Sequence, residues 1–214
     1  MIKYKFYFRK SSFKKDKNNG NLLLKLIKEN KAKNFLEIGV LEGATSRNIC
    51  EMLNNVNDGN FKFTGIDLFG EDVQENNLKE FTPISSKISN PLKWLYFKFF
   101  LRMKPNSVEG VKLLLKKFNK SVNLYKGYSK NILNKINLKE IDFVFLDGGH
   151  SYQTVYNDLT TLYKQMKDKQ KVILCDDYGK ESYIPEVEKA INDFRKKNNL
   201  QLNLIENRFA EIIT

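Results

Sequence analysis

The chain has 214 residues, of which 41% are hydrophobic, so it is long enough to bury the core of one ordinary domain. No apolar run approaches the roughly 20 residues that a membrane span needs, and the first residues lack a signal-peptide core, which predicts a cytoplasmic protein. The 37 basic and 25 acidic residues give a net charge of +12. Such a field attracts phosphate, RNA or an anionic membrane, although solvated lysines that only keep the protein soluble are the plainer interpretation.

The two cysteines, Cys50 and Cys175, lack the paired spacing of a zinc site, and Cys175 lies in an apolar run. We expect buried free thiols rather than a disulfide or a metal site.

Residues 1–17 form a basic, aromatic N-terminal arm with seven Lys or Arg residues and one acid, Asp16. The pattern predicts either an edge strand or a segment packed on the body. Leucine and isoleucine then recur at helical spacing through 21–29, which predicts a helix before the first strand.

A buried strand, 35–38, runs into a turn that contains Gly39 and Gly43. Thr45 or Ser46 offers an oxygen to cap the helix that follows. A helix that begins beside glycines presents free N–H groups to negative charge, so the turn predicts a binding site. A purely structural turn is the alternative.

The second strand, 61–69, contains Asp67 near its end. In a doubly wound sheet an acid at this point hydrogen-bonds ribose hydroxyls. An aspartate that only caps or turns the chain is the alternative.

Residues 70–121 are too long for an ordinary strand connection and contain a run of aromatic and basic residues, 91–101. We interpret the segment as an insertion. It could serve as a lid over a substrate, a membrane-surface helix, an oligomer contact or a nucleic-acid platform. An ordinary core-packing helix with snorkelling lysines is the simplest alternative.

Further strands alternate with helices through the rest of the chain. Strands are predicted at 122–125, 141–147, 171–178, 201–205 and 209–213. Helices are predicted at 131–136, after the turn 148–152 through residue 164, and at 185–197. Because only two residues lie near the last turn, the final two strands should pair antiparallel. The alternation predicts an α/β sheet, largely parallel, with helices on both faces.

Acidic residues follow the carboxyl ends of several predicted strands. They are Glu37, Asp67, Asp147, Asp176 and Asp177. One such acid would mean little, but several at one rim indicate a site.

Two stretches resemble a known family: Glu37–Gly43 and Gly65–Asp67 are similar to motif I and the second-strand acidic motif of class I S-adenosylmethionine-dependent methyltransferases. Residues 145–158, with Asp176 and Asp177, resemble the macrocin-type sugar O-methyltransferase branch. Leu41 departs from motif I, where glycine is common. The resemblance implies a methyltransferase domain at 18–214 with a Rossmann-like sheet of about seven strands.

The resemblance also implies roles for the residues of the rim. Gly39, Gly43 and Ser46 would receive the methionine end of S-adenosylmethionine, Glu37 would support that pocket, Asp67 would hold the ribose, and Gly127, Tyr128 and Ser129 would flank the adenine.

The sulfonium methyl of this cofactor is already activated, so the protein must mainly align an acceptor and remove its proton. Asp147, Asp176 and Asp177 lie on strands expected to be neighbours, about 4.8 Å apart, and could hold Mg²⁺ or another divalent cation. His150 is the preferred general base. The alternatives are that one aspartate only caps the chain and that His150 only orients the loop.

These patterns predict O-methylation of a hydroxyl on a small molecule, with a sugar or glycan precursor as the acceptor. An RNA methyltransferase that uses the basic surface is the second hypothesis, although an acidic rim would repel phosphate. A non-catalytic binding module of the same fold is the third, and the sequence leaves a homo-oligomer and a peripheral membrane contact open.

Overall fold

The computed structural model describes residues 2–13, 17–70, 88–167, 171–180 and 183–214. The strands are β1 (Asn34–Ile38), β2 (Lys62–Asp67), β3 (Val122–Lys126), β4 (Phe143–Leu146), β5 (Val172–Cys175), β6 (Leu202–Ile205) and β7 (Phe209–Ile213). The α-helices are α1 (Lys17–Glu29), α2 (Ala44–Val56), α3 (Pro91–Leu95), α4 (Val108–Leu114), α5 (Ser129–Ile132), α6 (Tyr152–Met166) and α7 (Pro185–Lys197). No helix among the described residues is both long enough and apolar enough to span a membrane.

The strands form one seven-stranded sheet in the order β3-β2-β1-β4-β5-β7-β6. The first five strands pair parallel, whereas β7 pairs antiparallel with both β5 and β6. Strands β2 and β3 are added on one side of β1, and β4 and β5 on the other, so the strand order switches between β1 and β4. The carboxyl ends of these two strands flank the position where ligands bind in doubly wound folds. The predicted Rossmann-like fold and its antiparallel C-terminal strands are confirmed.

The core lies on both faces of the sheet because successive strand residues point to opposite sides. On one face Phe35 stacks between Phe63 and Phe143, with ring centroids 6.1 and 5.1 Å away. On the other face Leu36 and Val144 pack with residues of α6 and α7. Helices therefore cover both faces, as the alternation predicts.

The N-terminal arm, described here over residues 2–13, forms no strand and packs on the body. Tyr4 and Phe13 are buried in the core. The Phe13 ring contacts Phe145 of β4 and Phe209 of β7. The arm thus reaches the centre of the sheet.

The predicted insertion is described only from residue 88 onward, and its first part, 71–87, lies outside the described residues. The described part contains α3, a π-helical turn at Tyr96–Phe100 and α4. Asn90 caps α3 by accepting a hydrogen bond from the Lys93 N–H. Service as a lid stays a prediction.

Candidate functional site

The glycine turn after β1 lies directly beside the end of β4. The Asp147 N–H donates to the Ile38 carbonyl at 2.8 Å, and the Gly39 N–H donates to the Ile66 carbonyl at 2.9 Å. Gly39 has φ +100°, and a Cβ there would lie 1.9 Å from the Asp147 carbonyl oxygen. The ends of β1, β2 and β4 therefore meet at one point, and glycine is required at position 39.

Glu37 is fully buried at the end of β1. One carboxylate oxygen accepts a short hydrogen bond from the Ser46 hydroxyl, whereas Oε1 has no hydrogen-bond partner in the described part of the chain. Burial raises the pKa of Glu37 to about 8, because the charged form is poorly solvated there. This buried oxygen can contact a bound ligand, and a cation placed there would favour the ionised carboxylate.

The predicted capping of α2 by Thr45 or Ser46 is wrong. Gly43 is the N-cap, with φ +77°, and no side chain in the described part of the protein caps the helix. Ser46 instead reaches Glu37, and the Thr45 hydroxyl forms a hydrogen bond of 2.7 Å with the Tyr4 hydroxyl. The N-terminal N–H groups of α2 are thus not used by a cap, which suits them to a bound ligand.

Asp67 ends β2 and connects it to the glycine turn. Its Oδ2 accepts from the Leu41 N–H at 2.9 Å, and its Oδ1 accepts from the Phe69 N–H at 2.6 Å. Burial raises the pKa of Asp67 although these backbone donors oppose the rise. Contact between Asp67 and a ribose stays a prediction.

Leu41 adopts a left-handed backbone conformation with φ +54°. This conformation directs its N–H to Asp67. The backbone of the turn therefore has the shape that glycine favours, although the side chain is leucine.

Gly127, Tyr128 and Ser129 follow β3, the neighbour of β2. The Gly127 N–H donates to the Asp67 carbonyl at 3.0 Å, and α5 begins at Ser129. The structure places these three predicted cofactor residues beside Asp67, whereas their contact with adenine stays a prediction.

Asp147, His150 and Asp177 converge beyond the ends of β4 and β5. One potential ligand atom from each lies within 4.8 Å of the others. The His150 Nε2 lies 3.1 Å from the Asp177 Oδ2. They line a small cleft that is also lined by Val155 of α6 and Val187 of α7.

Asp176 lies beside this group but is paired with Arg208. Both of its carboxylate oxygens accept hydrogen bonds from Arg208, from Nε and Nη2, at 2.6 Å each. The separation follows from the backbone, since β5 ends at Cys175 and Asp177 takes φ +61°. Asp176 and Asp177 thus face different partners, and the predicted ligation of one cation by Asp147, Asp176 and Asp177 together stays untested.

Several carboxyl groups crowd this edge of the sheet. Burial raises the pKa of Asp147 well above its ordinary value, and the charges of Asp176 and Asp177 raise it further. Burial also raises the pKa of Asp176, which Arg208 opposes. The site therefore favours a positive charge that would neutralise it.

Sequence reasoning missed the contacts that the arm and the insertion make with the glycine turn. Glu42 is buried in an ion pair with Lys93 of α3, and its Oε2 also accepts from the Lys10 N–H at 2.7 Å. Arg9 donates to the carbonyls of residues 105 and 110. The sequence showed only that both segments are rich in basic residues, which does not indicate which acidic or carbonyl groups they contact.

The cysteines are buried and free, as expected.

A family model described as "Methyltransferase domain" matches residues 36–178, which contain the end of β1, all of β2 to β5, and Asp147, His150 and Asp177. A sequence search against curated proteins returned no relative.

Solved structures with the same fold include several O-methyltransferases. The O-methyltransferase NovP is 18% identical, with a TM-score of 0.61, and the match covers 92% of this chain and 78% of NovP. An O-methyltransferase from Bacillus cereus in complex with SAH is 13% identical, with a TM-score of 0.60, covering 95% of this chain and 84% of that one. TomG from Streptomyces achromogenes, an O-methyltransferase of tomaymycin synthesis in complex with SAM, is 13% identical, with a TM-score of 0.56 and coverages of 92% and 78%.

The sheet order, the glycine turn beside Asp147 and the family match all indicate a methyltransferase domain. The chain belongs to the methyltransferase-domain family and is a class I S-adenosylmethionine-dependent methyltransferase.

Proposed function

We propose that this protein transfers the methyl group of S-adenosylmethionine to a hydroxyl of a small molecule, and that the acceptor is a sugar or glycan precursor. The observation that carries the proposal is the convergence of Asp147, His150 and Asp177 beside the glycine turn. The solved neighbours named as O-methyltransferases support oxygen as the acceptor atom.

We place the methyltransferase domain at 18–214, with 1–17 as an arm and 70–121 as an insertion. The family match over 36–178 lies within this domain. A cytoplasmic location is part of the proposal and is supported by the two free thiols.

The environment of Glu37 fits the cationic methionine end of the cofactor. Its Oε1 is buried and lacks a hydrogen-bond partner among the described residues, so an ammonium group would satisfy it. Gly39, Gly43 and Ser46 surround the same turn. Asp67 and the stretch Gly127–Ser129 are our candidates for the ribose and the adenine.

The donor set of Asp147, His150 and Asp177 fits a divalent cation. Carboxylates suit Mg²⁺ and Mn²⁺, and an imidazole favours a transition metal such as Mn²⁺ over Mg²⁺. Asp176 would not bind the cation directly, because Arg208 donates hydrogen bonds to both of its oxygens. It would add negative charge next to the cation. When bound, such a cation lowers the pKa of a neighbouring hydroxyl.

In the transfer itself the acceptor oxygen forms a bond to the methyl carbon, the carbon–sulfur bond breaks with its electron pair left on sulfur, and the hydroxyl proton moves to a base. His150 is our candidate base, since the Asp177 carboxylate lies 3.1 Å from its Nε2 and can hold the ring in place. If His150 instead binds a cation, another group must take the proton. The two roles make different predictions.

The test combines methyl transfer from S-adenosylmethionine to a panel of hydroxylated sugars with calorimetric titration of Mn²⁺ into the protein alone. We expect Asp147→Asn and Asp177→Asn to weaken Mn²⁺ binding by at least about tenfold, with Asp193→Asn as a control outside the site. Full transfer in excess chelator, or in Asp147→Ala, would overturn the role of the cation. Transfer that survives chelator but is lost in His150→Gln would assign the histidine as the base.

The two alternative functions have their own readouts. Methyl incorporation into RNA, with binding that weakens steeply as salt rises, would select an RNA methyltransferase. The carboxylates at the site oppose this alternative, because they would face the phosphates. Absence of S-adenosylmethionine binding in calorimetry would select a non-catalytic module.

A further inference from the structure

The α3 segment and the π-helical turn after it, residues 91–100, expose most of their apolar side chains to solvent. Phe100 is 80% exposed and Leu92 is 72% exposed. We call the exposed apolar residues of this segment the aromatic ridge: Leu92, Trp94, Leu95, Tyr96, Phe99 and Phe100. An exposed apolar patch of this kind marks an interaction surface.

The opposite face of the segment is fixed to the body. Lys93 is only 6% exposed and forms the buried ion pair with Glu42. Phe97, one turn later, is 2% exposed and lies under the Arg9 guanidinium at 4.7 Å from the ring centroid. The simplest alternative from the sequence, a helix that packs its aromatics into the core and extends its lysines into water, is therefore wrong for most of this segment. The orientation of the ridge is held by buried contacts.

The stretch of chain that contains the ridge is rich in basic residues. The stretch 88–121 contains eight Lys or Arg residues and a single acid, Glu109. Lys98 lies within the ridge, with its Nζ 4.3 Å from the Trp94 ring centroid. Lys93 is the one cation of this stretch that is buried in an ion pair among the described residues.

We propose that the aromatic ridge docks this protein on an anionic lipid bilayer. Aromatic and leucine side chains partition into the interface of a bilayer, and neighbouring cations attract anionic headgroups. Tryptophan and tyrosine favour the headgroup level, where an apolar ring and a polar tip are both satisfied. The segment 91–100 contains all of these groups among its exposed residues.

The charge of the segment favours a bilayer over the other occupants of such a surface. A second copy placed ridge to ridge would bring Lys98 and Arg102 against their own counterparts, and 88–121 offers one acid to compensate. Single-stranded nucleic acid uses aromatic platforms within a basic groove. The ridge instead includes the aliphatic Leu92 and Leu95, which provide no stacking surface.

Trp94 is the only tryptophan in the chain and lies in the ridge, so the unmodified protein carries its own reporter. The experiment adds vesicles of phosphatidylcholine alone, or with about 30% phosphatidylglycerol, and records tryptophan emission and co-sedimentation. We expect a blue shift, protection from iodide quenching and co-sedimentation with the anionic vesicles. Raising the salt from about 0.05 to about 0.5 M should weaken the binding.

Variants test whether the ridge carries this binding. Phe99→Ser/Phe100→Ser should lower vesicle affinity by at least about tenfold, because it removes exposed apolar area without disturbing the core. Leu204→Ser, on the exposed edge strand β6, is the matched control and should bind as the original protein does. Lys98→Gln should reduce both affinity and salt dependence.

Three outcomes would overturn the proposal. The first is unchanged Trp94 emission, with the protein left in the supernatant, at every vesicle composition. The second is vesicle binding that the double serine variant retains in full. The third is a dimer, or an RNA complex, that depends on Phe99 and Phe100 while anionic vesicles stay unbound.

Discussion

Arg208 clamps Asp176 from the turn between β6 and β7. Two hydrogen bonds of 2.6 Å join the guanidinium to both carboxylate oxygens, and both side chains are buried. The guanidinium also lies 4.7 Å from the Phe13 ring centroid. This pair connects the C-terminal hairpin and the arm to the edge of the sheet where the acidic group lies.

Arg208→Met should destabilise the protein by about 3–5 kcal/mol, because it leaves the Asp176 charge buried without its partner. Chemical denaturation measures the change. The double variant Asp176→Asn/Arg208→Met should recover part of the loss, since it removes the unpaired charge. A double variant as unstable as Arg208→Met would contradict this account.

Gly39→Ala should destabilise the protein by more than about 3 kcal/mol, because a left-handed φ and an overpacked contact add together. The new Cβ would meet the Asp147 carbonyl oxygen at 1.9 Å, and backbone cannot move aside easily. Gly59→Ala is the matched control, since Gly59 has φ +84° but the nearest atom to a Cβ is 3.8 Å away. Thermal unfolding of both variants separates the steric contribution from the conformational one, and equal losses would rule out the steric contribution.

Glu37→Gln should change the pH dependence of stability. The pKa of Glu37 is about 8 in the folded protein against an ordinary value of 4.5, so the folded state binds the extra proton between these values. The free energy of unfolding of the original protein therefore falls as pH rises from about 4.5 to 8, by a contribution on the order of 5 kcal/mol. The variant lacks this contribution, and its stability advantage should grow with pH.

Urea unfolding at pH 5, 6.5 and 8 measures the Glu37 effect, with the exposed Glu29→Gln as a control that should follow the original protein. Parallel curves for Glu37→Gln and the original protein would show that the folded state does not hold that proton.

Leu41→Gly should be nearly neutral, within about 1 kcal/mol, because relief of the left-handed backbone offsets the loss of a partly buried side chain. Leu22→Gly, at a partly buried position of α1, should cost at least about 1 kcal/mol more, since glycine disfavours a helix. Thermal unfolding compares the two. A larger loss at position 41 would mean that the Leu41 side chain contributes more than its backbone strain costs.

Much of the fold could be predicted from the sequence, because strands, helices and turns depend mainly on residues that are close in the chain. Apolar periodicity located the strands and most helices, and the glycines at 39 and 43 marked the turn where β1 passes into α2. Parallel topology then placed Asp67 and Asp147 at the same edge of the sheet, as the structure confirms. These features depend on neighbours in the chain and on the handedness of strand connections.

The partners of the polar side chains could not be predicted from neighbouring residues in the sequence, and only the tertiary structure decided them. The sequence offered Asp176 and Asp177 as equal candidates, but the turn after Cys175 sends one to Arg208 and the other to His150. Likewise the surplus of lysines did not reveal that Lys93 would be buried against Glu42. Each of these contacts joins residues far apart in the chain. It forms because packing of the domain brings the two groups together where little water is available to solvate them.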